Sequence, residues 1–169
     1  AGLADITGTI RALGVQEGRA AQAEALATQI ERELDAVKQS VAGQPRPRTL
    51  LVFGREEGSI RGLYVSGGVG FLHDMLEVAG GTNVMADVKR EGLQLPLEQL
   101  LARAPDVVIE LRASERWSPE RQVREAGAWR SVSIPAVRAN RVRFLGEDSL
   151  TIPGPRVAAA VRLIAGALR

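Results

Sequence analysis

Apolar residues recur at three- and four-residue steps through the first quarter of the chain: Leu3, Ile6, Ile10 and Leu13, then Leu26, Ile30, Leu34, Val37 and Val41. That spacing is the helical period. Between the two series lie Gly14 and Gly18, and glycine weakens a helix interior and suits its end, so the pattern predicts helices over 4–13 and 19–42 with a tight corner between them. Pro45 and Pro47 bar continuation. Beyond them the pattern shortens. Residues 49–54 and 106–111 are continuous apolar runs of strand length, and 141–145 is a third with more polar alternation. Such runs predict strands covered on both faces. Helices are predicted between them over 69–79, 96–103, 119–126 and 155–168, with proline near several starts and Gly80 and Gly81 after one end. Strands separated by helices predict an α/β fold with right-handed crossovers and a mostly parallel sheet.

In such a sheet ligands bind beyond the carboxyl ends of the strands, which nominates the loops 55–64, 66–70, 112–118 and 146–154. The most distinctive local feature is Val65-Ser-Gly-Gly-Val-Gly70, a glycine-rich turn leading into a helix. Free N–H groups there would hold an anion or admit a bulky ligand close to the main chain; a tight turn that packs a helix closely is the alternative. The turn lacks the lysine and hydroxyl of a P-loop, and Phe71 follows Gly70 where a dinucleotide fingerprint would continue. A small nucleotide- or phosphate-binding domain using residues 66–70 is the competing reading. His73 is the single histidine, so no second imidazole completes a zinc site, and no G-x-S-x-G elbow accompanies it. Glu56 with Glu57, and Glu147 with Asp148, are carboxylate pairs on the nominated loops; adjacent loop acids are ordinarily solvated. No catalytic residue, metal ligand set or cofactor is therefore assigned.

At 169 residues the chain is one ordinary domain, and 45% apolar against 25% charged residues is a globular composition. With no cysteine it has no disulfide, thiolate metal site or cysteine nucleophile. The apolar stretch 157–168 is broken by Arg162 and is shorter than the roughly 20 residues a membrane span needs. The first residues lack the layout of a signal peptide, so any export signal is taken as removed or never present. Twenty-two basic against 20 acidic residues leave +2, with the excess in the second half around Arg121, Arg124, Arg130, Arg138, Arg141 and Arg143. Few aromatics interleave them, so this reads as a solvated face and no nucleic-acid partner is expected.

Four pieces in order carry a resemblance: Gly70-Phe-Leu-His-Asp-Met-Leu-Glu-Val-Ala-Gly-Gly-Thr-Asn-Val84; Leu97-Glu-Gln-Leu-Leu-Ala-Arg-Ala-Pro-Asp-Val-Val-Ile109; Trp129 with Ala136-Val-Arg-Ala-Asn-Arg-Val142; and Pro153-Gly-Pro-Arg156. Together they resemble the C-terminal lobe of the periplasmic substrate-binding proteins of iron-siderophore, haem and cobalamin ABC importers. The resemblance implies a Rossmann-like three-layer lobe preceded by the end of a long connecting helix. Residues 1–42 would be the end of that inter-lobe helix and the first helix of the lobe, 43–169 the C-terminal ligand-binding lobe, with the N-terminal lobe absent. It implies a non-enzymatic binding component for a metal chelate, on the periplasmic or extracellular face of the membrane and lipid-anchored if an upstream anchor exists. By position, ligand contacts would come from Arg55, Glu56, Ser66, Gly67, Gly68, Phe71 and Arg112. Glu120 or Glu115 would dock against an ABC permease. A dimer through the face left open by the missing lobe is a further expectation.

Overall fold

The computed structural model describes residues 2–112, 117–146, 150 and 154–169. The elements in order are α1 (Leu3–Gln16), α2 (Ala20–Ser40), β1 (Arg48–Gly54), β2 (Tyr64–Ser66), α3 (Phe71–Ala79), β3 (Thr82–Asn83) and β4 (Gly92–Gln94). They continue as α4 (Leu97–Arg103), β5 (Val107–Leu111), α5 (Pro119–Trp129), α6 (Pro135–Arg138), β6 (Val142–Leu145) and α7 (Val157–Ala167). One sheet has the order β4-β2-β1-β5-β6, with β3 pairing β1. β1 runs parallel to β5 from Thr49 opposite Val107 to Val52 opposite Glu110, and β5 runs parallel to β6. The short β2 is antiparallel to both β1 and β4. The fold is a three-layer α/β structure with a mostly parallel central sheet.

The apolar strands are covered on both faces, as their composition demands. Leu51, Val107 and Ile109 pack with α1, α2, α3 and α7, whereas Leu50, Val52 and Val108 pack with Leu100, Trp129 and Ala136 from the opposite helical layer. Leu50, Leu51 and Ile109 are wholly buried, each worth about 1.5–3 kcal/mol over an exposed side chain.

α1 extends past the expected end at residue 13, because Gly14 serves packing rather than termination. A Cβ on Gly14 would lie 2.2 Å from that of Ala23, so its absence lets α1 and α2 touch. The corner falls later, at Gly18, whose φ is +68°. The last turn of α5 also outruns expectation, ending at Trp129.

Arg11 clasps this helix pair. Its Nε donates to Glu24 at 2.7 Å and its Nη1 to Glu31 at 2.7 Å, and these bonds hold both carboxyls below their ordinary range. A depressed carboxyl contributes stability that is complete above its unfolded pKa and lost as pH falls through the folded one. Thermal melts of the native chain should therefore fall more steeply with acid below about pH 5 than those of Arg11→Gln, by a small margin because the pairs are exposed. Parallel pH profiles for the two proteins would remove the clasp from the account.

Candidate functional site

β1 and β5 end side by side, and each delivers an arginine: Arg55 one residue beyond β1 and Arg112 one residue beyond β5. The two meet different fates. The side chain of Arg55 is wholly buried and its Nε donates to Oε1 of Glu110 at 2.8 Å. Its Nη2 lies 2.7 Å from Oε2 of Glu125, off the line of a hydrogen bond, so that contact is a charge pair. Nη1 donates to the carbonyl of Ser59 at 2.8 Å. Trp129 Nε1 donates to the same Glu110 oxygen at 3.0 Å, and the Arg55 guanidinium lies 5.8 Å from the Trp129 ring. Buried charges persist only when paired in this way. The effect is to tie the loop after β1 to both β5 and α5. Arg55 is thus turned inward and does not offer its guanidinium to a ligand in this conformation.

Arg112 remains at the surface. Its side chain is 19% exposed, with Nη2 3.3 Å from the second oxygen of Glu110, so one buried carboxylate holds both arginines. Beside it the Trp117 ring lies 4.7 Å from that of Phe144 of β6, tilted by 49°. The guanidinium carbons of Arg112 and Arg121 lie 6.0 and 5.3 Å from that indole. Ser118 caps α5 by accepting from Arg121 N–H at 3.1 Å, the usual role of serine before a helix. The strand ends thus carry an aromatic surface flanked by cations.

The glycine-rich turn is built differently from the expectation. β2 runs antiparallel to β1 and carries the chain back from the end where β1 finishes. Ser66 is wholly buried and its hydroxyl donates to Gly67 O at 3.0 Å. Gly67 N–H donates to Glu91 O at 3.1 Å and Gly68 N–H to Val88 O at 2.7 Å. These two donors are spent inside the fold, which removes them from the anion cradle that the nucleotide or phosphate reading requires. Asn83, paired with Thr49 at the start of β1, also donates to Gly67 O at 3.0 Å. Its Oδ1 accepts from Met85 N–H, fixing the amide so that Nδ2 also donates to His73 Nδ1 at 3.1 Å. His73 is thereby tied to the Asn83 amide and, through it, to the Gly67 carbonyl. Phe71 begins α3 and packs in the core, lining a groove with Ile6, Ile10, Gly154 and Pro155.

Glu56 is exposed on the loop after β1, and Glu120 is exposed in the first turn of α5. Glu115 and the Glu147 and Asp148 pair lie outside the described residues. Among the described residues no three histidine, aspartate or glutamate side chains gather as a metal site. Glu110 and Glu125 escaped the sequence reading. Their signal was present in Glu110, a lone carboxylate inside the apolar run of β5, since a charge placed there needs a buried partner.

The family description periplasmic binding protein matches residues 3–149. A vitamin B12-binding protein of Salmonella typhi is 32% identical over 104 residues, which are 62% of this chain and 37% of that protein. An ABC transporter substrate-binding protein from Listeria monocytogenes EGD-e superposes with a TM-score of 0.84 at 23% identity, over 99% of this chain and 64% of that one. The periplasmic vitamin B12 binding protein of Vibrio cholerae gives 0.79 at 21% identity, over 99% and 61%. At these identities the structural likenesses speak to the fold. The chain spans little more than a third of the length of the curated relatives it matches.

Proposed function

The chain belongs to the periplasmic binding protein family, and from that membership we propose that it is the C-terminal lobe of the substrate-binding component of an ABC importer for a metal chelate. The observation that carries the reading is the family match over 3–149. A binding protein must recognise and release its cargo, and no bond-making group is needed for that. Cobalamin is the first cargo to test, because the curated relatives are vitamin B12-binding proteins. Haem propionates and the carboxylates of some ferric siderophores would use an arginine, whereas cobalamin would lean on aromatic and backbone contacts.

Trp117 offers an aromatic face to such a cargo, and Arg112 offers a guanidinium to a carboxylate or propionate. Glu56, exposed on the neighbouring loop, is a further contact. In this proposal Arg55 positions that loop from beneath, and Ser66, Gly67 and Gly68 set the course of the chain into Phe71. Glu120 is the candidate contact to the permease, and the site of action is the periplasmic side of the membrane.

The test is calorimetric titration of cyanocobalamin, haem and ferrichrome into this chain and into a version extended upstream to the gene start. A single lobe covers one side of a ligand, whereas closed sites bury about 70–90% of ligand surface. Tight binding is expected from the extended chain and weak binding from the 169-residue chain. Tight binding by the short chain would overturn the one-lobe assignment, and silence of the extended chain toward all three would overturn the cargo class.

A further inference from the structure

A cavity among the described residues opens beside the loop that follows β1. It occupies about 710 Å³ between the loop 58–62, the start of α4 and the outer face of α5. Neither Arg112 nor the 66–70 turn lines it. Its volume falls within the range of about 300–1,000 Å³ usual for small-molecule sites.

Its chemistry is two-sided. Ile60, Leu95 and Leu97 supply apolar lining, while Arg61 and Arg124, both exposed, line the same space. The carboxylates nearest in sequence are committed elsewhere, Glu57 to Arg121 and Glu125 to Arg55. Among the described residues no acid pairs with Arg61 or Arg124. Glu120, one turn before Arg124 on α5, is not within ion-pair distance of it. Two guanidinium groups with no counter-charge beside apolar surface form a site for an anion with an apolar body.

The wall on the α5 side supports the same conclusion. Gly127 lies inside that helix and lines the cavity, and a Cβ there would meet nothing within 4 Å. Glycine weakens a helix interior, and here no neighbour requires it. Its effect is to keep the cavity open where a side chain would fill it. Leu97, 53% exposed, leaves part of that apolar lining open to solvent.

We propose that this cavity is a second ligand site, for a small amphiphilic dianion whose apolar body rests on Ile60, Leu95 and Leu97 while its two acidic groups pair with Arg61 and Arg124. It shares no lining residue with the surface formed by Arg112, Trp117 and Phe144.

The probe is naphthalene-2,6-dicarboxylate, with naphthalene-2,6-dimethanol as its neutral counterpart, titrated into the 169-residue chain and followed by amide chemical shifts. Saturable shifts are expected at Ser59–Gly62, Leu97 and Arg124–Ser131 for the dicarboxylate, with much weaker ones for the diol. Arg61→Gln and Arg124→Gln should each weaken binding about tenfold, as loss of a charge-assisted bond does. Gly127→Leu should abolish it while the melting temperature holds or rises, because the added side chain enters open space. No saturable shift at these amides by about 1 mM probe, shifts confined to Arg112 and Phe144, or binding undiminished in folded Gly127→Leu would each overturn the proposal.

Discussion

Replacing Arg55 by methionine should cost about 3–5 kcal/mol of folding stability, the usual consequence of breaking a buried charge cluster by removing one partner. Methionine fills much the same space, so lost packing is a small part of the effect. The larger part is electrostatic: Glu110 and Glu125, 0% and 1% exposed, would be left facing each other's charge without the guanidinium between them. Glu110 would keep only the Trp129 indole and the edge of Arg112. Urea denaturation with a two-state fit measures the change. Converting the carboxylates as well, in Arg55→Met with Glu110→Gln and Glu125→Gln, should recover most of the loss, since an uncharged replacement of a whole buried cluster is often near neutral. A single Arg55→Met change of less than about 1 kcal/mol would place the cluster among exposed ion pairs of little worth, contrary to its burial. A triple variant no better than the single one would assign the cost to shape rather than charge.

The elements that could be read directly were those whose side chains report local burial. β1 and β5 are predominantly apolar runs, interrupted in β5 by Glu110, so their place at the centre of the sheet follows from composition. α3 shows both its helical period and its stop at Gly80. β2 and β4, at three residues each, are too short for a period to appear, and what makes them strands is pairing with each other and with β1 across the fold. That omission had a consequence for the site. Without β2, the strand-end rule places residues 66–70 at the same sheet edge as residues 55 and 112, whereas an antiparallel β2 first carries them back along β1. Arg55 shows the other limit. Its residue type and its position after a strand are legible in the sequence, yet whether it faces ligand or core depends on Glu125, 70 residues further on and on a different element.

The glycine turn is a steric requirement of the fold, and Gly68→Ala is the substitution that exposes it. A Cβ on Gly68 would lie 2.1 Å from Ala86 O and 2.8 Å from Ala86 Cα. These are backbone atoms, and no rotamer change can clear them. Nor can the turn retreat freely, because Gly68 N–H is bonded to Val88 O at 2.7 Å and Gly67 N–H to Glu91 O at 3.1 Å. Gly67 is similarly confined, its Cβ position lying 1.9 Å from Arg90 O. Overpacking a well-filled site costs about 1–3 kcal/mol when side chains can adjust, and with backbone on both sides the cost should reach the top of that range or pass it. The companion substitution Gly8→Ala sets the scale from the other direction: it lies within α1 with nothing inside 4 Å of its Cβ, and alanine there should stabilise by about 1 kcal/mol. Opposite signs for the same added methyl, read from two urea titrations, would identify Gly68 as a contact between the 66–70 turn and the 86–91 segment. If Gly68→Ala instead left stability unchanged, that contact would have to be looser than these distances allow. Ser66–Gly68 would then be free to move, and their two N–H groups would become available to an anion after all.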